Sequence, residues 1–448
     1  MKARLLCAWE AGLLTLNARN REARDRQDFQ QTGVARVCQG RVPATMANRD
    51  ELGKTVLTPG ELIDTALHPD ESTEPATGQG RFVWTETGYD RLTERDVTDI
   101  ASMLQACSEG ETELLFAQAD QTRKRFVGDS VHIRGIIEFS NYCMRNCLYC
   151  GLRRDNHKLR RYRMTPDEIL AASENGIRRG YRTIVLQSGE DLHYSTSDIA
   201  RIVEGIKGLG DVAVTLSVGE RARSEYATMK SAGADRFLLK HETADAELYR
   251  RLHPGRSLEM RIECLQNLKS LGFQVGSGFI VGLPGQDIST IARDIALLKL
   301  LDVDMAGIGP FIPHPDTPIA LYPAGDVAMT LKALVVTRLA LPHANLPVTT
   351  ALSTLRPDGR KLALSCGGNV IMPNITPAKY RKLYEIYPDS ASLKDPEDGG
   401  IMEIGVMLEA MGRKISTTKG DSFRGDRVSL GEEEATAPGG RGDCFLQT

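Results

Sequence analysis

From residue 131 onward, short β-rich runs alternate with charged, amphipathic helical stretches, and they do so eight times. The runs are VHIRGIIEFS (131–140), RTIVLQSGE (182–190), VAVTLSVGE (212–220), RFLLKHE (236–242), FQVGSGFIVG (273–282), MAGIGPF (305–311), LPVTTALST (346–354) and NVIMPN (369–374). Between them lie stretches such as TPDEILAASENGIRRG and SLEMRIECLQNLKSLG, the second opened by Ser257 and closed by Gly272, as capping preferences require. Strands separated by helices pair in parallel, and eight such units in succession point to an α/β fold of the (βα)8 TIM-barrel type. An open, doubly wound sheet is the competing arrangement. Many of the runs end in polar residues: Glu138–Ser140, Gln187–Glu190, Ser217 and Glu220, His241–Thr243, Thr349–Thr350 and Asn374. In a parallel barrel that end is where catalytic groups gather, and a purely structural barrel has no need of them.

The barrel pattern bounds the rest of the chain. Ahead of it, DVTDIASMLQACSEGETELLFAQADQTRKRFVG has apolar residues at helical spacing and predicts two or three lead-in helices with a break at Gly110. The expected domains are a barrel over 92–415, a Pro/Gly/Thr-rich linker over 50–91 and a disordered tail over 416–448. Residues 1–49 carry nine Lys/Arg against four acids. They read either as an organelle transit peptide, placing the mature protein in a chloroplast, mitochondrial or hydrogenosomal matrix or stroma, or as a disordered extension of a cytoplasmic protein. Met46 is a candidate later start. A formal net charge of −3 over 448 residues gives no electrostatic reason to expect nucleic acid or a membrane surface as partner. No apolar run approaches the length of a spanning helix.

Nine cysteines are too dilute for a disulfide scaffold, and only Cys143, Cys147 and Cys150 cluster, in NYCMRNCLYCGLR just after the first predicted strand. Structural zinc commonly takes two separated Cys pairs, and no second pair exists; a Cys3His site borrowing His157 is the remaining zinc option. A 4Fe-4S cube held by three thiolates keeps one iron without a protein ligand. At a barrel mouth that open position is a place for chemistry.

CxxxCxxC with Tyr149 before the last cysteine, after strand one of a (βα)8 pattern, resembles the radical S-adenosylmethionine (SAM) superfamily. Longer segments resemble its HydE branch, the maturases of the FeFe-hydrogenase H-cluster and relatives of biotin synthase and methylornithine synthase. They are RGIIEFSNYCMRNCLYCGLRRDN, RYRMTP, TIVLQSGED, VTLSVGE, GADRFLLKHETA, VGLPGQ, GIGPFIPHPDTP, NVIMPN and YRKLYEIYP. The first segment is shared with methylornithine synthase; GIGPFIPHPDTP and the YEIYP end favour the maturase. The resemblance implies a 4Fe-4S cluster on Cys143, Cys147 and Cys150, with Tyr149 close to the adenine of SAM. It implies that Gln187, Ser188, Gly189 and Glu190 meet the methionine amino group, that Ser217, Glu242 and Arg261 hold SAM, and that the Ile280 backbone lies against adenine. GFIVGLPGQ resembles the superfamily's fifth-strand GxIxGxxE element, with Gln286 where a Glu is usual.

The substrate end of the cavity would be lined by Arg236, Met305, Thr350, Met372, Tyr384 and Tyr387. The implied substrate is a small organometallic iron species carrying CO, cyanide and cysteine, made by HydG, processed through a 5′-deoxyadenosyl radical and passed towards HydF. A low-potential donor such as ferredoxin would supply the electron. Blander roles stand beside these. Met305 and Met372 suit a barrel core, and Tyr384 and Tyr387, three apart on a predicted helix, suit packing. Arg261 could cap a helix or pair on a surface; His241 suits a satisfied strand end, and His314 a Pro-rich loop. GSGFIVG lies inside a predicted strand and so is no dinucleotide fingerprint. The region after YEIYP lacks the extra cysteines of some family members, so a single cluster is expected, with Cys264 and Cys366 as buried thiols. The rival functions are a methylornithine-synthase-like or biotin-synthase-like enzyme, and a non-catalytic metal-binding assembly scaffold.

Overall fold

The computed structural model describes residues 94–422, apart from 107 and 395–399. The 1–49 segment, the 50–91 linker and everything beyond 422 therefore lie outside the described residues. Ten parallel strands form one sheet in the order β10-β1-β9-β8-β7-β6-β5-β4-β3-β2. The strands are β1 (Ser130–Ile133), β2 (Gly135–Ser140), β3 (Thr183–Ser188), β4 (Ala213–Ser217), β5 (Arg236–Leu238), β6 (Gln274–Val281), β7 (Met305–Pro310), β8 (Pro347–Val348), β9 (Val370–Ile371) and β10 (Lys414–Ile415). The first stave borders both its neighbours: His132 and Ile133 pair with β9, while Gly135–Glu138 pair with β3 and Ile136 bridges Asn374. With 130–140 counted as one stave and β10 as an addition on β1, the sheet curls into a TIM-barrel-like arrangement of eight.

Helices follow the strands and bury one face on them. The lead-in helices α1 (Glu94–Leu104) and α2 (Glu109–Val127) come first. After β2 comes α3 (Pro166–Arg178), whose Thr165 hydroxyl accepts from the Glu168 N–H while the Glu168 carboxylate accepts from the Thr165 N–H. Next are α4 (Thr196–Gly208), α5 (Arg223–Ser231), α6 (Ala246–Leu252), α7 (Leu258–Ser270), α8 (Ile288–Leu300) and α9 (Val327–Ala340). The expected strand over 346–354 is only two residues long, and Thr350–Leu355 is instead the helix α10. Its β-branched residues mislead: Ala351 and Leu352 supply the buried side, and Thr354 Oγ1 donates to the Thr350 carbonyl one turn back at 2.9 Å. The helices α11 (Gly359–Ser365), α12 (Ala378–Arg381) and α13 (Ile401–Ala410) complete the set. Tyr384 and Tyr387 therefore follow a helix of four residues rather than lying on one.

α1 packs on α8 and α2 on α9. That outer cover explains why α8 and α9 are apolar nearly all round, since each is sandwiched between barrel and lead-in. The break between α1 and α2 falls before Ser108, which forms a capping box with Glu111, and Gly110 sits inside the first turn.

The chain beyond Ile415 does not leave the barrel at once, as the expected tail boundary had it. Arg236, at the N-terminal end of β5, donates to the Thr183 hydroxyl (3.1 Å), Gln274 (3.1 Å), the Lys419 carbonyl (2.8 Å) and Asp421 (2.6 Å). The fully buried Arg134 donates to the Gly420 carbonyl and to Met305 Sδ, both at 3.0 Å. Residues 416–422 thus cover the barrel floor, because two buried guanidiniums need their acceptors.

Candidate active site

The cysteine loop leaves β2 at the C-terminal rim and has no regular structure of its own, so its backbone is held from outside. Asn141 Nδ2 donates to the Arg160 and Leu383 carbonyls, at 2.9 and 2.6 Å, and its Oδ1 accepts from the Tyr162 N–H at 2.7 Å. Arg161 does more. Its Nη1 donates to the Asn141 and Leu152 carbonyls (2.5 and 2.9 Å), and its Nη2 to those of Arg153 and Asn156 (2.7 and 3.2 Å). One guanidinium therefore spans the loop from before Cys143 to beyond Cys150. Neighbouring elements supply further pins: Met144 N–H donates to the Glu190 carbonyl, Leu148 to Leu252 and Gly151 to Ile386. Gly189 is needed beside the loop, since a Cβ there would lie 2.3 Å from the Tyr142 carbonyl oxygen and 2.7 Å from Cys143 Cβ.

The three thiols are half-buried, and the Arg145 N–H points at Cys143 Sγ at 3.4 Å. Burial, joined by the charge of Cys143, pushes Cys150 up to about 12. Burial also raises Cys147, with Cys150 and Cys143 adding to it. Thiolates in this loop need a positive core. Among the described residues no three His, Cys, Asp or Glu side chains are arranged around a single metal ion, which a Cys3His zinc site would require. An iron–sulfur cube takes its thiolates at separate corners, and the donor set fits it.

Beside the cysteines lies a charge network. Arg145 Nε donates to Glu190 at 2.5 Å, and Arg261 Nε to Glu220 at 2.7 Å; Arg256 also pairs with Glu220. Glu190 and Glu220 are buried, and Gly219, at φ 78°, leaves room for Glu190, whose Cγ would be 1.9 Å from a Cβ there. Three guanidiniums and two carboxylates in one cleft match the amino-acid end of a zwitterionic ligand.

Glu242 stands at φ 65°, a rare conformation for a side-chain-bearing residue and a mark of a functional position. Burial pushes its pKa up, but the charges of Lys240 and Arg261 outweigh that and hold the carboxyl below its ordinary value. Tyr149 bridges the cysteine loop to α6. His253 Nδ1 donates to the Tyr249 carbonyl at 2.9 Å, so Nε2 is the acceptor for the Tyr149 hydroxyl at 2.8 Å. Burial lowers His253 to about 4 and keeps it neutral.

Strand register places Glu138, Gln187 and Ser217 side by side across β2, β3 and β4. Glu138 accepts from Asn374 at 2.7 Å, Tyr384 hydrogen-bonds Gln187, and burial pushes the phenols of Tyr384 and Tyr387 upward, so both stay protonated. Ser188 donates to the Gly189 carbonyl. Thr350 starts α10, and Met372 follows β9. The six expected substrate residues do not form one cluster, because Arg236 and Met305 begin their strands and lie with the floor. Arg145, Arg161, Arg256 and His253 escaped the sequence reading of the site, which marked Glu138 and Glu220 as polar strand ends without giving them a role. No local signal marks these four, since Arg145, Arg256 and His253 find their partners far away in the sequence and the Arg161 guanidinium turns back across the loop. Cys264 and Cys366 stay apart from the loop: Cys366 is buried in the core and Cys264 is half-buried against the Arg221 carbonyl. No helix among the described residues is long and apolar enough to cross a membrane.

Comparison with known proteins agrees with this geometry. The radical SAM superfamily profile matches residues 137–298. The [FeFe] hydrogenase maturase subunit HydE of Thermotoga maritima is 53% identical over 305 residues, covering 68% of this chain and 87% of that protein. A 3-methylornithine synthase of Methanosarcina acetivorans is 28% identical over 316 residues, covering 70% and 88%. Among solved structures, a methylornithine synthase (PylB) superposes with TM-score 0.63 at 26% identity, covering 74% of this chain and 96% of its own. HydG of Carboxydothermus hydrogenoformans, at 17% identity and TM-score 0.63 over 81% and 86%, shares the fold.

Two outcomes follow from the site. Arg161→Ala removes the donor of four loop carbonyls, so iron retention after anaerobic reconstitution should weaken by about 10-fold or more, with Arg161→Lys intermediate. Iron binding equal to that of the parent protein would contradict the clamp. Burial raises Glu138 from 4.5 to about 8, against the opposing effects of Asn374 and Arg381. The folded state therefore holds a proton that the unfolded state has released, and stability falls as pH rises through that window. Glu138→Gln should gain on the parent from pH 5.5 to 7.5, by up to about 1.4 kcal/mol per pH unit. Parallel urea-denaturation profiles across that range would contradict the assignment.

Proposed function

The chain belongs to the HydE family of the radical SAM superfamily, and from that premise we propose how its residues divide the work of maturing an [FeFe]-hydrogenase. It is a radical SAM enzyme of hydrogenase maturation, and its cofactors are a 4Fe-4S cluster and SAM. When bound, these supply a one-electron cleavage of the sulfonium to methionine and a 5′-deoxyadenosyl radical. Cys143, Cys147 and Cys150 hold the cluster. Glu190 accepts from the amino group of SAM while Arg145 and Arg261 face its carboxylate, with Glu220 and Arg256 keeping those guanidiniums aimed. Gln187, Ser188, Gly189 and Ser217 line the same strand ends. Glu242 takes the ribose hydroxyls, and the Ile280 backbone and Tyr149 flank the adenine; His253, as acceptor, fixes the Tyr149 ring.

The substrate is a small iron species carrying CO, cyanide and cysteine, received from HydG and handed on towards HydF, with a ferredoxin-type donor supplying the electron. Tyr384, Tyr387, Thr350 and Met372 bound its site near the rim, and Arg236 and Met305 close the lower end. Soft thioethers and phenols are suitable neighbours for an iron–thiolate complex. A neutral Glu138 beside the two tyrosines offers a hydrogen-bond donor without placing a charge in the cavity. If the 1–49 segment is a transit peptide, the enzyme works in an organelle.

The observation that carries this reading is the three-cysteine loop fixed beside the Arg145–Glu190–Arg261–Glu220 network at one rim of the barrel. Reconstituted, dithionite-reduced protein should release deoxyadenosine from SAM and replace HydE in hydrogenase maturation with HydF and HydG. Cys147→Ala should do neither. Rearrangement of lysine by the parent protein in the presence of SAM, with no support of maturation, would overturn the assignment in favour of a mutase.

A further inference from the structure

The superfamily's usual Glu is replaced here by Gln286, and the surroundings of its amide give a physical reason. After β6 the chain makes a tight turn closed by the Gln286 N–H donating to the Leu283 carbonyl at 2.9 Å. The Gln286 side chain folds back over that turn. Its Oε1 accepts from the Gly282 N–H at 2.6 Å, and its Nε2 donates both to the Ile280 carbonyl at 2.9 Å and to Asp294 Oδ2 at 3.2 Å. Asp294 lies on α8 and is fully buried. Its other oxygen, Oδ1, accepts from the Ala244 N–H and lies 3.6 Å from His241 Nε2, while His241 Nδ1 meets the Ser277 hydroxyl at 3.0 Å. Ala244 is two residues beyond Glu242, the residue at positive φ. The Glu242 N–H donates to the Gly278 carbonyl and its carbonyl accepts from the Ile280 N–H, both at 3.0 Å. A half-buried contact, Gln286 to Asp294, thus adds a side-chain link between the 280–286 turn and the 242–244 turn to these backbone bonds.

We infer that Gln286 and Asp294 are a matched pair of positioning residues, which together set the Ile280 carbonyl and the Glu242 turn and so the affinity for the adenosyl end of SAM. This rests on the SAM reading of the site given above. The chemistry requires an amide at 286. An amide nitrogen carries two hydrogens and serves both the Ile280 carbonyl and Asp294, while its oxygen accepts from Gly282. A carboxyl carries at most one hydrogen, so a Glu at 286 would set a lone pair against one of those two acceptors; only with both carboxyls protonated would every acceptor be met. Asp294 in turn needs to be an acceptor on both oxygens. An Asn there keeps its oxygen for Ala244 but turns an NH2 group on the Gln286 NH2 group, donor against donor. Exchanging both residues restores the contact between the two side chains with its direction reversed, and a single proton on the carboxyl introduced at 286 then serves the Ile280 carbonyl.

The test is a double-mutant cycle on cluster-loaded holoenzyme, reading SAM affinity and the change that SAM causes in the EPR signal of the reduced cluster. Gln286→Glu and Asp294→Asn should each weaken SAM binding about 10-fold, or about 1.4 kcal/mol, at unchanged iron content. The double variant should bind more tightly than either single variant and regain the EPR change. Should a single variant fail to fold, a double variant that folds and binds SAM is the same rescue read on solubility. Gln286→Glu binding SAM like the parent, or a double variant weaker than both singles, overturns the pairing. Failure of the cluster-loaded parent to bind SAM overturns the reading of the site itself, an outcome separable from any result of the cycle.

Discussion

Three cysteines within eight residues leave the backbone between them no room for a helix or a ladder, yet that backbone must be rigid at the rim of a barrel. Its two ends are clamped by one guanidinium, that of Arg161, which takes the carbonyls of Asn141 before it and of Leu152, Arg153 and Asn156 beyond it, while the N–H groups of Met144, Leu148 and Gly151 reach out to Glu190, Leu252 and Ile386. Everything else at the site follows from this anchoring. Glu190 holds the loop through its carbonyl and Arg145 through its carboxylate, so the residue proposed to meet SAM's amino group also fixes the backbone beside the first cysteine. Leu252 ties the loop to α6, whose next residue, His253, orients Tyr149. Cluster site and ligand site are therefore mechanically one object.

The charges of the rim are arranged with similar economy. Glu190 and Glu220 are buried, a costly position for carboxylates without partners, and each finds guanidiniums from separate elements: the cysteine loop, the segment before α7, and α7 itself. A ligand bearing both an ammonium and a carboxylate can exchange for part of this network without leaving a buried charge unpaired. At the opposite end of the barrel the charges are met by the chain itself. There Arg134 and Arg236 draw the chain's own residues 419–421 over the floor, which closes the interior from below.

The barrel was legible because its signal is periodic: apolar strands and amphipathic helices repeat, and helix starts such as Thr165 and Ser257 carry their caps locally. Reading failed where local preference and tertiary context disagree. TALSTL has β-branched residues but forms α10, and the α1–α2 break is set by the Ser108 capping box rather than by Gly110. In the site, the cysteines and the polar strand ends at Gln187, Ser217 and Glu242 were visible because strand ends mark the rim. Arg161 was not, since nothing in its neighbourhood tells that its guanidinium turns back across the loop to four carbonyls. His253 and Arg145 likewise acquire their roles from partners far away in the sequence. Arg236 and Met305 were grouped with the rim residues by resemblance, whereas their positions at strand starts put them at the floor. Gln286 looked like a defect in a motif until Asp294, eight residues on, supplied the reason for an amide.

The central claim is that three thiolates from one clamped loop leave a cluster position free for SAM to occupy. Electron–nuclear double resonance on the reduced, cluster-loaded protein tests it directly, with SAM carrying 15N in its amino group and 17O in its carboxylate. The account predicts coupling of both nuclei to the cluster, lost in Arg161→Ala as the loop loosens. A cluster signal with no coupling to either nucleus, in protein saturated with SAM, would contradict it.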